Sequence, residues 1–529
     1  MKKSSLLYIS ILISVPVVVS IAATFVLGVN GYDGWVHLNW LDQFSAMVRD
    51  GDLYPRWLQK SFFGFGSPSF YFYPPLPYWA GAIISLLTTS TSPEFLYYAV
   101  SWLAIVLSFY SMRYVLRVLY YKDSVVLLLA ILYSLNIYRI LDLFSRNSMG
   151  EQFAFVFLPL VFLSAAALTS AIRISDRTFF FCTVIGWSGT LLCNIPTFVL
   201  MAISTVVLLV ISHKQISTKQ LHVFLASSVT SMLLCGIYLI PIIYFKDSVH
   251  LEHLIFKDAD ILPLGRSFLG QTPYPDIVIS KYCCFAVGII LLYVLYRYYF
   301  NSDKGDRNIA PLQKLLFAWC SLAVLFQIPI VGNVLHKNIF PFTIIQLYWR
   351  WDILIMLCLP FVVGATVLDK KFNIVRNSIL TTISLGGILV LIVSYQLRGG
   401  SPSDLPGTSH QDVDEYIPRS VPYTGKQILS SHDELTKGTF SLPITINSDS
   451  TQSISFHKFY WYDNIVLNDS MEVTTYPDSL GRLTAQIPPG NNSLRISDKT
   501  LPPELYGILS SIIGIVAIVV IGKALKSKT

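Results

Sequence analysis

Two residues that could do chemistry, Asp33 and His37, stand four positions apart in the stretch NGYDGWVHLNW at residues 30–40. A carboxylate can act as a general base, and a neighbouring imidazole can hold it or a substrate hydroxyl by a hydrogen bond. A structural interpretation is also open, in which Asp33 caps a helix and His37 is an ordinary polar residue at the membrane surface. Both alternatives place Asp33 just before a helix.

Two further polar stretches, DLFSRNSMGE and IIQLYWRWD, lie within otherwise apolar sequence. Their ionisable residues are Asp142, Arg146, Glu151, Arg350 and Asp352. Ionisable groups at membrane depth are costly, which makes them candidate functional groups. The alternative for Arg350 is a structural ion pair with Asp352 or an extension toward the lipid headgroups.

Composition indicates the class of protein. Of 529 residues, 53% are hydrophobic and 13% are charged, whereas a soluble domain has about 25% charged residues. We therefore predict an all-α polytopic membrane protein. The net charge of +7 comes from short Lys and Arg clusters between apolar segments, which indicates membrane topology rather than nucleic-acid binding. All seven cysteines lie in apolar stretches, so no disulfide framework is predicted.

The positions of Lys and Arg predict about twelve transmembrane helices with both termini in the cytoplasm. An uncleaved first span at 6–27 leads to a first external loop at 28–75, and the apolar segment 76–87 is short enough to be re-entrant or interfacial. This topology brings all three polar stretches to the outer face. The remaining spans are predicted near 95–116, 124–141, 152–172, 178–212 (a pair), 221–245, 279–299, 312–332, 343–367, 377–396 and 504–522.

The elements that would position these residues follow from their patterns. Apolar residues from Leu38 to Val48 recur at helical spacing, which predicts an amphipathic helix on the membrane surface. The aromatic and proline-rich stretch at 62–79 includes Tyr73 and Trp79 and suits the wall of a substrate groove.

A polar segment at 398–503 interrupts the apolar pattern. Its short alternating runs between turn residues predict a small β-rich domain, periplasmic or extracellular, before the last transmembrane helix. Its stretch KFYWYDN, at 458–464, would offer exposed aromatic side chains to a sugar. The predicted organisation is a transmembrane domain at 1–397, this β domain, and a C-terminal helix with a basic cytoplasmic tail at 504–529.

Together these features favour transfer of a sugar from a polyprenyl-phosphate donor to a glycan, lipid or protein acceptor at the outer face of the cell membrane. Asp33 would be the general base, with His37 beside it, and Arg146 and Arg350 would stabilise the departing phosphate. The other predicted substrate-binding residues are Asp142, Glu151, Tyr73 and Trp79.

A divalent cation is the alternative use of these acids. Mg²⁺ or Mn²⁺ would be held by Asp33 and His37 together with Asp142 or Glu151, because one carboxylate and one imidazole are too few ligands. No other cofactor is predicted. Membrane lipids are the expected surroundings of the site.

Six stretches of this chain resemble a known family, and in chain order they are GYDGWVHLNW, GDLYPRW, GFGSPSFYFYPPLPYW, SRNSMGE, IQLYWRW and DEYIP. They resemble the bacterial integral membrane family labelled 6-pyruvoyl-tetrahydropterin synthase-related, whose architecture is similar to the type-C (GT-C) membrane glycosyltransferases. The resemblance spans essentially the whole chain and implies a GT-C-like transmembrane domain. It implies no pterin chemistry, because the sequence contains no zinc-binding set of histidines.

The resemblance also implies roles for two acids. Type-C enzymes place an essential Asp or Glu in the first external loop, which Asp33 matches, and often a second acid in the next external loop, which corresponds to Asp142 or Glu151. The chain departs from this pattern because its first loop has a single Asp at this position rather than paired acids. It also has Cys193 where a His is expected before Asn194.

Two other function classes stay open, a non-catalytic assembly factor for envelope polymers and a transporter or flippase for lipid-linked sugars. The sequence shows no convincing inverted repeat of the kind that transporters use. Charged residues concentrate at one face, which disfavours a scaffold. Sugar transfer is therefore the prediction, with these two as alternatives.

Overall fold

The structure, a computed structural model, describes residues 18–24, 26–119, 123–251, 275–301, 310–367, 373–398, 412–422, 427–428 and 431–526. It is mostly helical, and a small β region precedes the last helix, as predicted. The longer helices are Gly34–Arg49, Leu76–Thr88, Pro93–Val118, Asp123–Ser134, Leu158–Leu168, Asp176–Cys193, Ile195–Ser212, Thr218–Leu234, Gly236–Phe245, Pro275–Asn301, Ala310–Gln327, Pro329–Asn338, Asp352–Val367, Asn373–Arg398 and Pro502–Lys526. The short α-helices are Ser69–Phe72, Ile137–Ile140, Met149–Ala154, Phe342–Ile345 and His432–Thr436.

Within the described residues, seven helical segments are long and apolar enough to cross a membrane. By length and composition, the chain is a multi-pass membrane protein. The predicted count of twelve is not confirmed, and most of the first predicted span, 6–27, lies outside the described residues. The seven segments are Pro93–Val118, Val125–Arg146, Ile195–Gln215, Asp276–Arg297, Tyr348–Ala365, Arg376–Gln396 and Pro502–Leu525.

Two predicted apolar segments take shapes other than a straight span. The segment predicted at 221–245 is broken into two helices, Thr218–Leu234 and Gly236–Ser248, which are bent by 70° and would make an eighth span if they cross together. The break falls at Cys235, and Pro241 lies inside the second helix. The helix Leu76–Thr88 has 13 residues, about 20 Å in length, which agrees with the prediction that it is too short to cross.

The helix Gly34–Arg49, here named the first-loop helix, forms where the apolar spacing predicts it. It does not lie with its polar face open, because the side chains of Asn39, Gln43 and Ser45 are buried as well. Gln43 explains this burial: its amide donates to Asn39 and accepts from the backbone N–H of Lys60 at 2.7 Å. The rest of the first loop therefore folds over the polar face of the helix, which corrects the prediction of a simple surface helix.

The β domain is a sandwich of two four-stranded sheets with the orders β1-β3-β7-β6 and β2-β8-β4-β5. All neighbouring strands are antiparallel except β1 and β3. Apolar side chains from both sheets, among them Phe456, Val466 and Leu494, form a separate core between them. The strands are β1 (Thr439–Phe440), β2 (Ile444–Ser448), β3 (Gln452–Phe459), β4 (Asn464–Asn468), β5 (Met471–Val473), β6 (Thr475–Pro477), β7 (Arg482–Ile487) and β8 (Gly490–Asp498).

The β domain is anchored to the first external loop. The backbone N–H of Phe459 donates to the carbonyl of Phe65 at 2.8 Å. Trp461 packs against Trp57 and Tyr71 and is only 1% exposed. The expectation of exposed aromatics in KFYWYDN is thus wrong for Trp461, since burying its large ring helps join the two parts.

Candidate active site

The loop before the first-loop helix is fixed against the turn that follows Arg146. The backbone N–H of Gly31 donates to the side-chain oxygen of Asn147, and that of Asp33 donates to the carbonyl of Arg146 at 2.8 Å. A Cβ on Gly31 would collide with Asn147 and with the carbonyl of Ser145, so only glycine permits this approach. Asn147 itself adopts a left-handed conformation, with φ of 55°, which asparagine tolerates better than most residues.

A π-helical turn at Leu141–Arg146 orients the first arginine. Its Nη1 donates to Asp142 Oδ1 at 2.8 Å and to Glu151 Oε2 at 3.1 Å. With the residues that the structure describes, its Nη2 makes only long contacts, 3.5 Å to Ser148 Oγ and 3.7 Å to Asp33 Oδ2. Arg146 therefore faces three carboxylates and keeps one nitrogen loosely engaged.

The second arginine, Arg350, lies in a 3-10 turn, Tyr348–Trp351, which is the first turn of the apolar segment Tyr348–Ala365. It follows a tight turn at Gln346, whose φ of 65° and ψ of −59° are strained for a residue other than glycine. The turn lets Arg350 Nη1 donate to the carbonyl of Ile345 and to the Gln346 side chain, both at 2.8 Å. Nη2 forms no hydrogen bond with any residue that the structure describes.

Glu151 joins the two arginines. It lies in the short helix Met149–Ala154, here named the site helix, and is fully buried. Its Oε2 accepts from Arg146 and from Arg350 Nε, each at 3.1 Å, and its Oε1 accepts from the Tyr138 hydroxyl. Burial favours a higher pKa for Glu151, but the two arginines outweigh it and hold the pKa below its ordinary value.

The alternative in which Arg350 forms an ion pair with Asp352 is not found, since the carboxylate partner of Arg350 is Glu151. Asp352 begins the next helix and is 1% exposed. The two side chains diverge because Arg350 belongs to the 3-10 turn and is held by Ile345 and Gln346.

Asp33 stands at the edge of this network. It occupies the cap position of the first-loop helix, but its side chain makes no capping hydrogen bond, so the capping alternative is not supported. Of its side-chain surface, 47% is accessible, while Arg146 is 4% exposed. The protein around this carboxyl raises the pKa of Asp33 by desolvation, against the opposing effect of Arg146 and Arg350. Water reaches the carboxylate, yet enough protein surrounds it to disfavour its charge.

His37 lies one turn further along the helix and is 3% exposed. Its Nδ1 is 2.5 Å from the Tyr78 hydroxyl, and its ring also packs against Tyr73 and Trp40. Desolvation, with a smaller contribution from Arg146, lowers the pKa of His37 to about 3, so the imidazole is neutral. Its side-chain partner among the described residues is Tyr78 and not Asp33.

The two predicted aromatic residues lie in different places. Tyr73 is near the network. Its hydroxyl lies close to Gly150, the neighbour of Glu151, and a Cβ added to Gly150 would be 2.9 Å from it. Desolvation raises the pKa of Tyr73, and the charge of Asp33 adds to this effect. Trp79 instead donates from Nε1 to the carbonyl of Leu53 at 3.0 Å and packs on another tyrosine of the first loop. The structure thus brings Tyr73, but not Trp79, to the acids and arginines.

The predicted metal set is not assembled in this arrangement. Across the described ranges, no group of three His, Cys, Asp or Glu side chains could hold a metal ion. Glu151 is engaged by two arginines, Asp142 by one, and His37 by Tyr78. In this structure the arginines pair with the acids that such a cation would need, and the metal site stays a prediction.

Sequence reasoning missed two residues of this network, Asn147 and Tyr138. Asn147 fixes the position of Gly31. The sequence could have indicated it, because asparagine tolerates positive φ and often occurs in turns. Tyr138 donates to Glu151, but nothing distinguishes it in sequence from the other tyrosines in apolar segments. Asn194, whose role was open, caps the helix Ile195–Ser212 by accepting from the Thr197 N–H at 2.9 Å.

Comparison with known proteins leaves the family unassigned. No family model and no curated protein matches the chain, so the resemblance to the pterin-synthase-related family is not confirmed. Among solved structures, the chain is similar to the oligosaccharyltransferase of Archaeoglobus fulgidus in its apo form, with 12% identity and a TM-score of 0.35. The match covers 79% of this chain and 57% of the archaeal one. Similarity at that level does not by itself indicate a function.

Proposed function

We propose that this protein transfers a sugar from a polyprenyl-phosphate donor to an acceptor at the outer face of the membrane. The observation that carries the proposal is the position of Asp33. It is an accessible carboxylate beside a buried pair of arginines that share Glu151. Three segments far apart in sequence supply these groups.

The transfer reaction needs a general base. The acceptor hydroxyl attacks the anomeric carbon of the sugar, and Asp33 accepts the proton of that hydroxyl as the new carbon–oxygen bond forms. Asp33 suits this role because it is open to solvent and its pKa is raised, which makes the carboxylate a stronger base than an ordinary aspartate. The bond between the anomeric carbon and the phosphate oxygen breaks, and the lipid phosphate leaves as an anion.

The departing phosphate needs cationic hydrogen-bond donors. Nη2 of Arg146 makes only contacts of 3.5 and 3.7 Å, and Nη2 of Arg350 makes none with the described residues. Arg146 is held through Nη1, and Arg350 through Nε and Nη1, so each can bind a phosphate oxygen with Nη2 without leaving Glu151. Such prearranged donors stabilise the charge that develops in the transition state.

The test is transfer of a tagged sugar from a synthetic polyprenyl phosphate in proteoliposomes. The Asp33→Asn variant keeps the shape of the side chain but cannot accept the proton. We expect its turnover to fall by about a hundredfold or more, with donor binding retained. Asp50→Asn, at the exposed other end of the same helix, is the matched control and should keep its activity.

Two results would overturn the proposal. Near-normal turnover in Asp33→Asn would show that Asp33 is not the general base. Binding of lipid-linked sugar by the wild-type protein with no transfer to any acceptor, but with movement of the lipid between leaflets, would assign a flippase instead.

A further inference from the structure

A groove separates the first external loop from the β domain and encloses about 830 Å³. One wall comes from the loop after the first-loop helix and the other from β3, β8 and the segment after β1. The volume lies in the range of sites that hold organic ligands. Its lining includes the cations Lys60, Lys458 and Arg495 and the aromatic side chains Trp57, Phe63 and Phe440.

The walls of this groove are fixed to each other. His457 Nε2 is hydrogen-bonded to the carbonyl of Phe63 at 2.9 Å, and its ring stacks on Phe65 at 4.1 Å. Phe459 donates its backbone N–H to Phe65 at the same junction. The groove is therefore preformed, which lowers the entropic cost of binding.

The charge of the groove has one sign. Lys60, Lys458 and Arg495 line it, and no carboxylate is among the lining residues. Lys60 lies 3.4 Å from the exposed Asp42, and the ammonium of Lys458 lies 5.4 Å from the Trp57 ring. Arg495 is exposed and has no ion-pair partner in the described part of the chain. A cleft lined by cations attracts an anionic ligand.

The aromatic side chains narrow the class of ligand further. Phe440 is 41% exposed at the edge of the groove, and the partly exposed Phe63 lines it as well. Flat apolar rings offer surfaces against which the carbon–hydrogen face of a sugar ring can pack. Cations interleaved with aromatic rings suit a ligand that alternates apolar ring faces with anionic groups.

We propose that this groove binds an anionic glycan, one whose sugars carry carboxylate or phosphate groups, and that this glycan is the acceptor. The role of this glycan as the acceptor rests on the proposed function, whereas its binding to the groove does not. The connection to the candidate active site is the first-loop helix, because Gln43 holds the backbone of Lys60 at 2.7 Å. Gln43 is ten residues from Asp33, about 15 Å along the helix.

The experiment is binding of fluorescent oligosaccharides to the full-length protein in nanodiscs. The probes are a hexamer of galacturonate, a phosphorylated maltohexaose, neutral maltohexaose and hexaglutamate. We expect one or both acidic glycans to bind at least tenfold more tightly than the other two, and the affinity to fall with added salt. The two acidic probes separate a carboxylate from a phosphate preference. Equal binding of hexaglutamate or of neutral maltohexaose would overturn the proposal.

Variants test the groove itself. Arg495→Gln should weaken binding of the preferred acidic probe by about fivefold, the size expected for an exposed charge pair. Phe440→Ala should weaken binding of both acidic and neutral glycans. Lys437→Gln, an exposed cation of the same domain outside the groove, is the control and should bind as the wild type does. Unchanged binding in both groove variants would show that the glycan does not bind in this groove.

The failure of this inference and that of the proposed function are distinguishable. Asp33→Asn should bind the acidic glycan normally while its sugar transfer is lost. If Arg495→Gln weakens binding but leaves the acceptor KM unchanged, the groove holds a glycan that is not the acceptor. If Asp33→Asn loses transfer but the wild-type protein binds no glycan, the proposed function stands and the proposed glycan-binding groove is wrong.

Discussion

Glu151 shows how individual residues of the network depend on one another. Its buried carboxylate is balanced by Arg146 and Arg350, each at 3.1 Å, and by the Tyr138 hydroxyl. Removing one partner of such a group leaves an uncompensated charge on a fully buried side chain. In the proposed mechanism, the two arginines both hold Glu151 and bind the donor phosphate.

Arg350 offers a test of this double role. Arg350→Ala should lower turnover by about tenfold to a hundredfold, since a charged hydrogen bond contributes about 1.5 to 3 kcal/mol. Arg350→Lys restores the charge but not the planar fork, so it should recover only part of the activity. Turnover and donor KM are measured on folded protein, with the exposed Arg173→Ala as control. Full activity in Arg350→Ala would exclude contact with the phosphate.

The pH dependence follows from Asp33 and His37. A base must be deprotonated, and the pKa of Asp33 is raised, so the rate should fall as pH decreases through a midpoint above the ordinary value of 3.8. His37, with a pKa of about 3, stays neutral above pH 5 and adds no titration there. The profile of kcat/KM should keep its midpoint in His37→Gln. A midpoint near 6.5 that disappears in His37→Gln would assign the titration to His37.

Among the secondary-structure elements, two irregular turns and one short helix orient the charged side chains. The π-helical turn Leu141–Arg146 directs Arg146, the tight turn at Gln346 directs Arg350, and the site helix carries Glu151. The two turns depart from regular α-helical geometry. Irregular backbone in a membrane protein is tolerated where it is buried in protein, and all residues of Leu141–Arg146 are buried.

Gly150 tests the placement of the site helix. A Cβ there would lie 2.7 Å from the carbonyl of Cys193 and 2.9 Å from the Tyr73 hydroxyl. Gly150→Ala should therefore displace Glu151, lower turnover by about tenfold and destabilise the fold by about 1 to 3 kcal/mol. In the control, Gly387→Ala, the new methyl group meets only the flexible end of Ile140. Thermal unfolding and turnover are measured together, and equal effects in the two variants would contradict the prediction.

For the molecule as a whole, the β domain and the acids must lie on the same side of the membrane. Ser450 is exposed just after β2, and Ser302, predicted to be cytoplasmic, lies outside the described residues. With a membrane-impermeant thiol reagent on intact cells, Ser450→Cys should react and Ser302→Cys should react only after lysis. The parent protein is the control, because six of its seven cysteines are buried. Reversed labelling would contradict the topology and the proposed function together.

Composition and local periodicity were enough to predict the membrane class, the helix after Asp33, the small β domain and the polar stretches that supply the acids and arginines. These features depend on neighbours along the chain, which is why they can be read from sequence. Tertiary contacts were needed to establish that Arg350 pairs with Glu151 rather than Asp352, that His37 meets Tyr78, and that Trp79 lies elsewhere. Those pairings depend on backbone turns and on contacts between residues up to 199 positions apart, which no local pattern specifies.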